Sequence, residues 1–422
     1  MAIGESTAPE ASRDRWAVLV LIIAIRVAVT IQVQSVGALG PALLADPGLG
    51  LGYAGLGALI GAYMLPGTLV ALPSGWFAAR LGERRMVLAG LALSTAGGLA
   101  FAMAPGFGSA LAARLASGAG AALLNVVLSA MVMARFTGPA LAPAMGGFLA
   151  AYPFGIGLTL VSLPALAAAV SWRAATLAGA AGCALALVAV PFVLARRRPG
   201  PAPTTAPRPV GTERRGGPLH PGEWGPVLAA GAAWAGMNVG YAVLLGFAPA
   251  LLAGRGASPE TAGAVASLAG WASIPLAPLG GALAERTGRP LLATATCLTA
   301  TALAVLALAT GVGPQSGALL AAGLVGSIAA TVIMTLPARA LAPESRAFGM
   351  GVYWTIFYAG MAALPPVAGW AADATGSAAA ALGVAAAFLG AAALAVAVYG
   401  GLLRRQRYGE GSTPGATQGA QP

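Results

Sequence analysis

Apolar stretches of twenty or more residues follow one another along the whole chain, and two arginines, Arg26 and Arg114, stand in the middle of such stretches with no Asp, Glu or His inside them. Stretches of that length are stable as bilayer-crossing helices, because a helix satisfies all its backbone N–H and C=O groups where no water can. Hydrophobic residues make up 58% of the chain and charged residues 8%, too few to cover a water-soluble fold of this size. The sequence therefore predicts an all-α polytopic membrane protein. Its 61 glycines and 31 prolines belong to helix packing, since small residues let spans approach closely and neighbours satisfy the groups that proline frees.

Twelve spans are expected, near 16–44, 53–78, 86–105, 107–134, 140–169, 172–195, 226–253, 260–284, 290–312, 316–338, 347–371 and 376–402. The first is too long for a signal-peptide core and is kept as a span. All 23 cationic residues are arginines, and apart from Arg26 and Arg114 they crowd the loops on one side. Only Arg173 and Arg255 fall on the other, which places both termini in the cytoplasm of a bacterial-type inner (plasma) membrane. The net charge of +11 thus reports topology, and no nucleic acid is expected as partner. The partners expected are the lipid bilayer and a substrate, with the chain a monomer. Cys183 and Cys297 lie in apolar runs and read as packing residues. No cofactor, metal cluster, P-loop or nucleophile-base grouping is present, so an enzyme is not expected.

The expected organisation is a cytoplasmic segment 1–15, a six-helix half 16–195, a Pro-, Arg- and Gly-rich cytoplasmic linker 196–225, a second six-helix half 226–403 and a disordered tail 404–422. The halves repeat. Pro41-Ala-Leu-Leu-Ala45 returns as Pro249-Ala-Leu-Leu-Ala253 at an offset of 208, and Gly75, Arg80 and Gly82 return as Gly281, Arg286 and Gly288 at an offset of 206. Duplicated halves point to a transporter with its site between them near mid-membrane.

These features resemble the major facilitator superfamily along almost the whole chain. Its loop after the second span, G-x-x-x-D-R-x-G-R-R in outline, is similar to Gly75, Ala79, Arg80, Gly82, Arg84 and Arg85, with Ala79 in place of the acidic residue; the second copy is Gly281, Glu285, Arg286, Gly288 and Arg289. The resemblance implies the major facilitator fold and a gating role for this loop, whose charges tie cytoplasmic helix ends together in one conformation. Arg114, Gly118 and Gly120 are similar to the family's R-x-x-x-G-x-G element of span four, where the arginine often lies near the substrate path. The stretch Gln34-Ser-Val-Gly-Ala-Leu-Gly-Pro41 is similar to the cyanate-permease-like subgroup of small-anion carriers.

A charged side chain at mid-bilayer costs about 2.5 to 3.5 kcal/mol even on lenient scales, so it faces protein or a water-filled path. With no acid nearby, the counter-ion expected for Arg26 is a bound anion. Thr30 lies about 40° and Gln34 about 80° round the helix from Arg26, one polar stripe. At an offset of 208, Arg26 and Thr30 map onto Trp234 and Asn238, which share a face with Tyr241. A cation facing an aromatic wall and an amide suits a compact carboxylate-bearing anion. Asn125 on the Arg114 span, Tyr152 on span five and Tyr353 on span eleven complete the expected substrate site. The expected activity is alternating-access transport of a small organic or inorganic anion, by exchange. The alternatives are multidrug-type efflux, which for cations would want a carboxylate in the cavity, and a transporter-like receptor.

Overall fold

The computed structural model describes residues 8–70, 74–195, 219–276 and 279–410, and among these no strand occurs. The helices before the linker are α1 (Ala8–Ala38), α2 (Gly40–Leu44), α3 (Tyr53–Val70), α4 (Ser74–Ala102), α5 (Phe107–Arg135), α6 (Leu141–Ala169) and α7 (Trp172–Ala195). After it come α8 (Pro221–Gly254), α9 (Pro259–Leu276), α10 (Gly280–Arg286), α11 (Pro290–Thr310), α12 (Gln315–Ile333), α13 (Leu336–Ala340), α14 (Arg346–Thr375) and α15 (Ala378–Glu410).

Among the described residues nine helical segments are long and apolar enough to cross a membrane, or ten if the bent pair α9 and α10 forms one span. Twelve were expected, and the difference has two physical sources. The expected span 53–78 is described as an apolar helix only to residue 70, and residues 71–73 lie outside the described part. The helix α14 has 30 residues, but Tyr353, Trp354, Tyr358, Pro365 and Pro366 dilute its hydropathy. Those residues belong to a helix packed between others, since α14 lies against α3 and α8.

Boundaries also move. The segment expected before residue 16 is already helical from Ala8, and α15 runs on to Glu410 inside the expected tail. The last five residues of the expected linker start α8, because Pro221 suits a first helical position and the Glu223 carboxylate accepts from the His220 backbone N–H at 2.8 Å. Glu223 Oε1 also accepts from the Ala342 N–H and the Ser345 hydroxyl, both at 2.7 Å, which ties the start of α8 to the α13–α14 connection. Linker residues 196–218 and tail residues 411–422 lie outside the described part.

The most extensive seams between helices on either side of the linker are α3 on α14, α6 on α9 and α1 on α8. Small residues make them possible. A Cβ at Gly61 would collide with the Ala362 carbonyl, so only glycine permits the α3–α14 approach there. The same seam is clamped at one end. Asp373, in the last turn of α14, accepts from the Tyr53 and Ala54 N–H groups at 2.7 and 2.8 Å, filling the orphan donors at the start of α3.

A second carboxylate holds the loop after α2. Asp46 accepts from the Trp172 indole N–H at 2.6 Å, from Arg173 Nη1 at 2.8 Å and from the Gly48 N–H at 2.8 Å. These donors, the indole first, favour the ionised form and hold the carboxyl below the usual carboxylate range. A depressed folded value means that the stabilisation is complete above the unfolded carboxyl value of about 3.9 and is lost as pH falls through the folded one. Asp46→Asn is therefore expected to melt below the unmodified protein at pH 6, with the gap closing below about pH 4. A gap independent of pH, read in thermal melts of the purified protein, would contradict this role.

Candidate functional site

Seven helices, α1, α3, α6, α8, α9, α12 and α14, meet around a cavity of about 260 Å³. Of the expected site residues Gln34, Tyr152, Trp234, Asn238 and Tyr241 line it. Most of the remaining wall is apolar, with Met64, Met237 and Met361 supplying adaptable surface. At Gly37 the main chain of α1 touches Gly246 of α8, so the helices close on each other beside Gln34. The volume lies below the roughly 300–1,000 Å³ of drug-sized sites, which fits a compact molecule.

Arg26 stands beside this cavity. Its guanidinium carbon lies 5.6 Å from the ring centre of Tyr152, a wall residue, and 4.3 Å from that of Phe148. Nη1 donates to Asn125 Oδ1 at 2.9 Å, and Tyr358 of α14 approaches the same pair. Nε has no partner, and among the described residues Arg26 makes no ion pair. Of five N–H donors one is bonded, so a half-buried cation keeps capacity for an acceptor from outside the chain.

The expected stripe along α1 divides. Gln34 reaches the cavity, whereas the Thr30 hydroxyl donates to the Arg26 carbonyl at 2.8 Å and its side chain packs on Gly155 of α6. A threonine in a helix has that carbonyl four residues back within reach, and burial leaves it no better partner. Tyr353 forms a layer behind the wall, its ring centre 6.4 Å from that of Trp234. Tyr241 lines the cavity with its ring while its hydroxyl donates away, to the Ala322 carbonyl.

Arg114 is placed elsewhere. It is 2% exposed, and Nε, Nη1 and Nη2 donate to the carbonyls of Leu59, Gln32 and Val33 at 3.1, 2.6 and 3.1 Å. Its guanidinium carbon also lies 4.3 Å from the Tyr63 ring centre. Here the charge of α5 is neutralised by main-chain dipoles of α1 and α3, and the residue does not line the central cavity.

The loop elements keep their glycine geometry. Gly82 and Gly288, equivalent in the repeat, both take positive φ, 74° and 67°, which an L side chain would resist. Arg84, Arg85, Arg286 and Arg289 are exposed, and Gly281 packs on Thr331. Gly75 and Arg80 fall in α4, but their side chains, like that of Ala79, lie outside the described residues. Sequence reasoning missed Glu83, which pairs with Arg135 at 2.8 Å, the counterpart of Glu285 with Arg339 at 3.6 Å. A signal was present: Arg135 and Arg339 sit at an offset of 204, close to that of the loops. No group of three or more His, Cys, Asp or Glu that could hold a metal occurs among the described residues.

The family model for the Major Facilitator Superfamily matches residues 22–248 and 231–422. The chain is similar in fold to solved structures of a mutant of the peptide transporter POT, at 16% identity with TM-score 0.70, covering 92% of this chain and 95% of that one. It is likewise similar to a POT family transporter in complex with a thioalcohol conjugated peptide, at 13% identity with TM-score 0.68, covering 94% and 96%. No curated protein matches the sequence. At these identities the structural likeness speaks for the fold alone.

If Arg114 is a structural pin, Arg114→Ala is expected to lose at least about 3 kcal/mol of stability, since three bonds to a charged group disappear from a buried site. Thermal melts and ligand titration separate the roles: a lowered melting temperature with unchanged affinity supports the pin, and an unchanged melt with lost affinity contradicts it.

Proposed function

We propose that this chain, which belongs to the major facilitator superfamily and is a membrane transporter and not an enzyme, carries a small organic anion by alternating access. The observation that carries the reading is Arg26: a half-buried cation inside a membrane-length helix, next to the cavity, with no carboxylate among its described neighbours. Its planar fork suits a carboxylate, which it can grip through two parallel N–H bonds. Phe148 and Tyr152 hold the plane of the fork, and Asn125 fixes its rotation.

Movement follows from the seams. Segments 16–195 and 226–403 act as two halves that rock about the cavity, with both termini cytoplasmic. Opening the end near Asp373 requires that carboxylate to leave the first turn of α3, and closing it restores both bonds. The ion pairs Glu83–Arg135 and Glu285–Arg339 each stay within one half, so they stiffen the loops that the halves present to each other.

Coupling is by exchange. Arginine keeps its proton throughout the accessible pH range, and the wall residues include no Asp, Glu or His to ferry one. A monovalent anion entering a negative-inside cell alone faces about 2.3 kcal/mol per 100 mV, an outward bias of about fiftyfold. Trading one anion for another removes that term.

The test is counterflow in proteoliposomes with labelled carboxylates, without a pH gradient. Preloading with unlabelled substrate is expected to accelerate entry. Arg26→Ala is expected to weaken binding about ten- to hundredfold, the loss of bonds worth about 1.5 to 3 kcal/mol to a charged group, and Arg26→Lys to recover little. Full counterflow by folded Arg26→Ala protein would overturn the assignment.

A further inference from the structure

Four polar side chains of the cavity wall share one direction. Gln34 Nε2 donates to the Leu245 carbonyl at 3.0 Å, and Asn238 Nδ2 donates to the Trp234 carbonyl at 2.8 Å. Each amide is thereby oriented: turning it over would press its oxygen against a carbonyl oxygen and forfeit the bond. The hydroxyls of Ser273 and Ser327, also in the wall, donate to the carbonyls of Gly270 and Leu324 at 2.7 and 2.8 Å. Four polar side chains from α1, α8, α9 and α12 thus spend a donor on main chain and keep acceptor lone pairs. Neither amide oxygen has a hydrogen-bond partner among the described residues, and neither is among the covered, unpaired atoms.

Arg26 offers donors, and this part of the wall offers acceptors. The separation is set by α1: Arg26 and Gln34 are eight residues apart, about 12 Å along a helix. A ligand that reaches from one to the other meets opposite hydrogen-bonding demands at its two ends.

We infer that the substrate of this site carries, at the end remote from its carboxylate, an N–H donor that bonds to the side-chain oxygens of Gln34 and Asn238. This rests on the anion reading above and narrows it, for a plain fatty or dicarboxylic acid would leave those oxygens facing an apolar or like-polarity group. Two chemistries supply such a donor, an ammonium and an amide. With an ammonium the cargo is a zwitterion whose carboxylate still meets Arg26. It is neutral overall, its transport generates no current, and the membrane-potential case for exchange then applies only to the amide. With an amide it remains an anion.

The experiment is equilibrium binding to the purified full-length protein of three matched probes: hexanoate, 6-aminohexanoate and the monoamide of adipic acid. At least one N–H-bearing probe is expected to bind ten- to a hundredfold tighter than hexanoate, all three losing affinity in Arg26→Ala. Gln34→Leu and Asn238→Leu are expected to bring the ratio of N–H-probe to hexanoate affinity down towards one, whatever either change does to hexanoate itself. The ratio in the unmodified protein decides the matter even if a variant fails to fold. Equal Arg26-dependent binding of all three probes overturns the donor inference and leaves the anion reading standing. Tighter binding of the N–H probes that ignores Arg26 overturns the anion reading instead, and no Arg26-dependent binding of any probe overturns both. Between the two N–H probes, the tighter one tells ammonium from amide.

Discussion

A guanidinium cannot shed its charge inside a membrane, and it must find acceptors there. This chain meets that constraint twice with opposite solutions. Arg114 is closed in by three carbonyls from two neighbouring helices, which pins α5 to α1 and α3. Arg26 has one amide oxygen and two aromatic faces, and its Nε is left without a partner. Removing a charge from water costs several kcal/mol, and a single neutral acceptor does not offset it. In the function proposed here, a bound anion recovers the deficit. The cavity, its aromatic wall and its oriented amides derive their use from that unfilled capacity.

The packing that surrounds the site must hold a shape and also release it. Seams built on small residues do this, because in lipid no hydrophobic driving force separates helix from helix, and the contacts are close, numerous and individually weak. The clamp of Asp373 on the start of α3 adds a few directed bonds at one end of the α3–α14 seam. It couples the end of one helix to the beginning of another across the two halves proposed here. A rocking motion breaks it as a unit.

Much of the fold was legible because the bilayer leaves a chain few choices: long apolar runs must be helices. The repeat of Gly82 at Gly288 was readable too, and both take a positive φ. The roles of the two arginines were not legible. In sequence Arg26 and Arg114 look alike, and only the carbonyls gathered from Leu59, Gln32 and Val33 distinguish the pinned one. Thr30 looked like part of a polar face, yet an i−4 carbonyl was nearer than the cavity. Glu83 lies one turn after Ala79, the position that the family pattern makes acidic, so that pattern does not mark it. Patterns along one helix say which residues share a face, and they do not say which neighbour that face will meet.

The central claim is that the cavity takes its ligand through the charge on Arg26. Its most direct test is ligand protection at a wall residue. Ser273→Cys, in protein whose Cys183 and Cys297 are replaced by alanine, places one reactive thiol on the cavity wall. Hexanoate and hexanamide match in size and differ in charge. The account predicts that hexanoate slows maleimide labelling of that thiol and hexanamide does not, and that the difference vanishes with Arg26→Ala. Equal protection by both compounds, or protection by hexanamide alone, would contradict it.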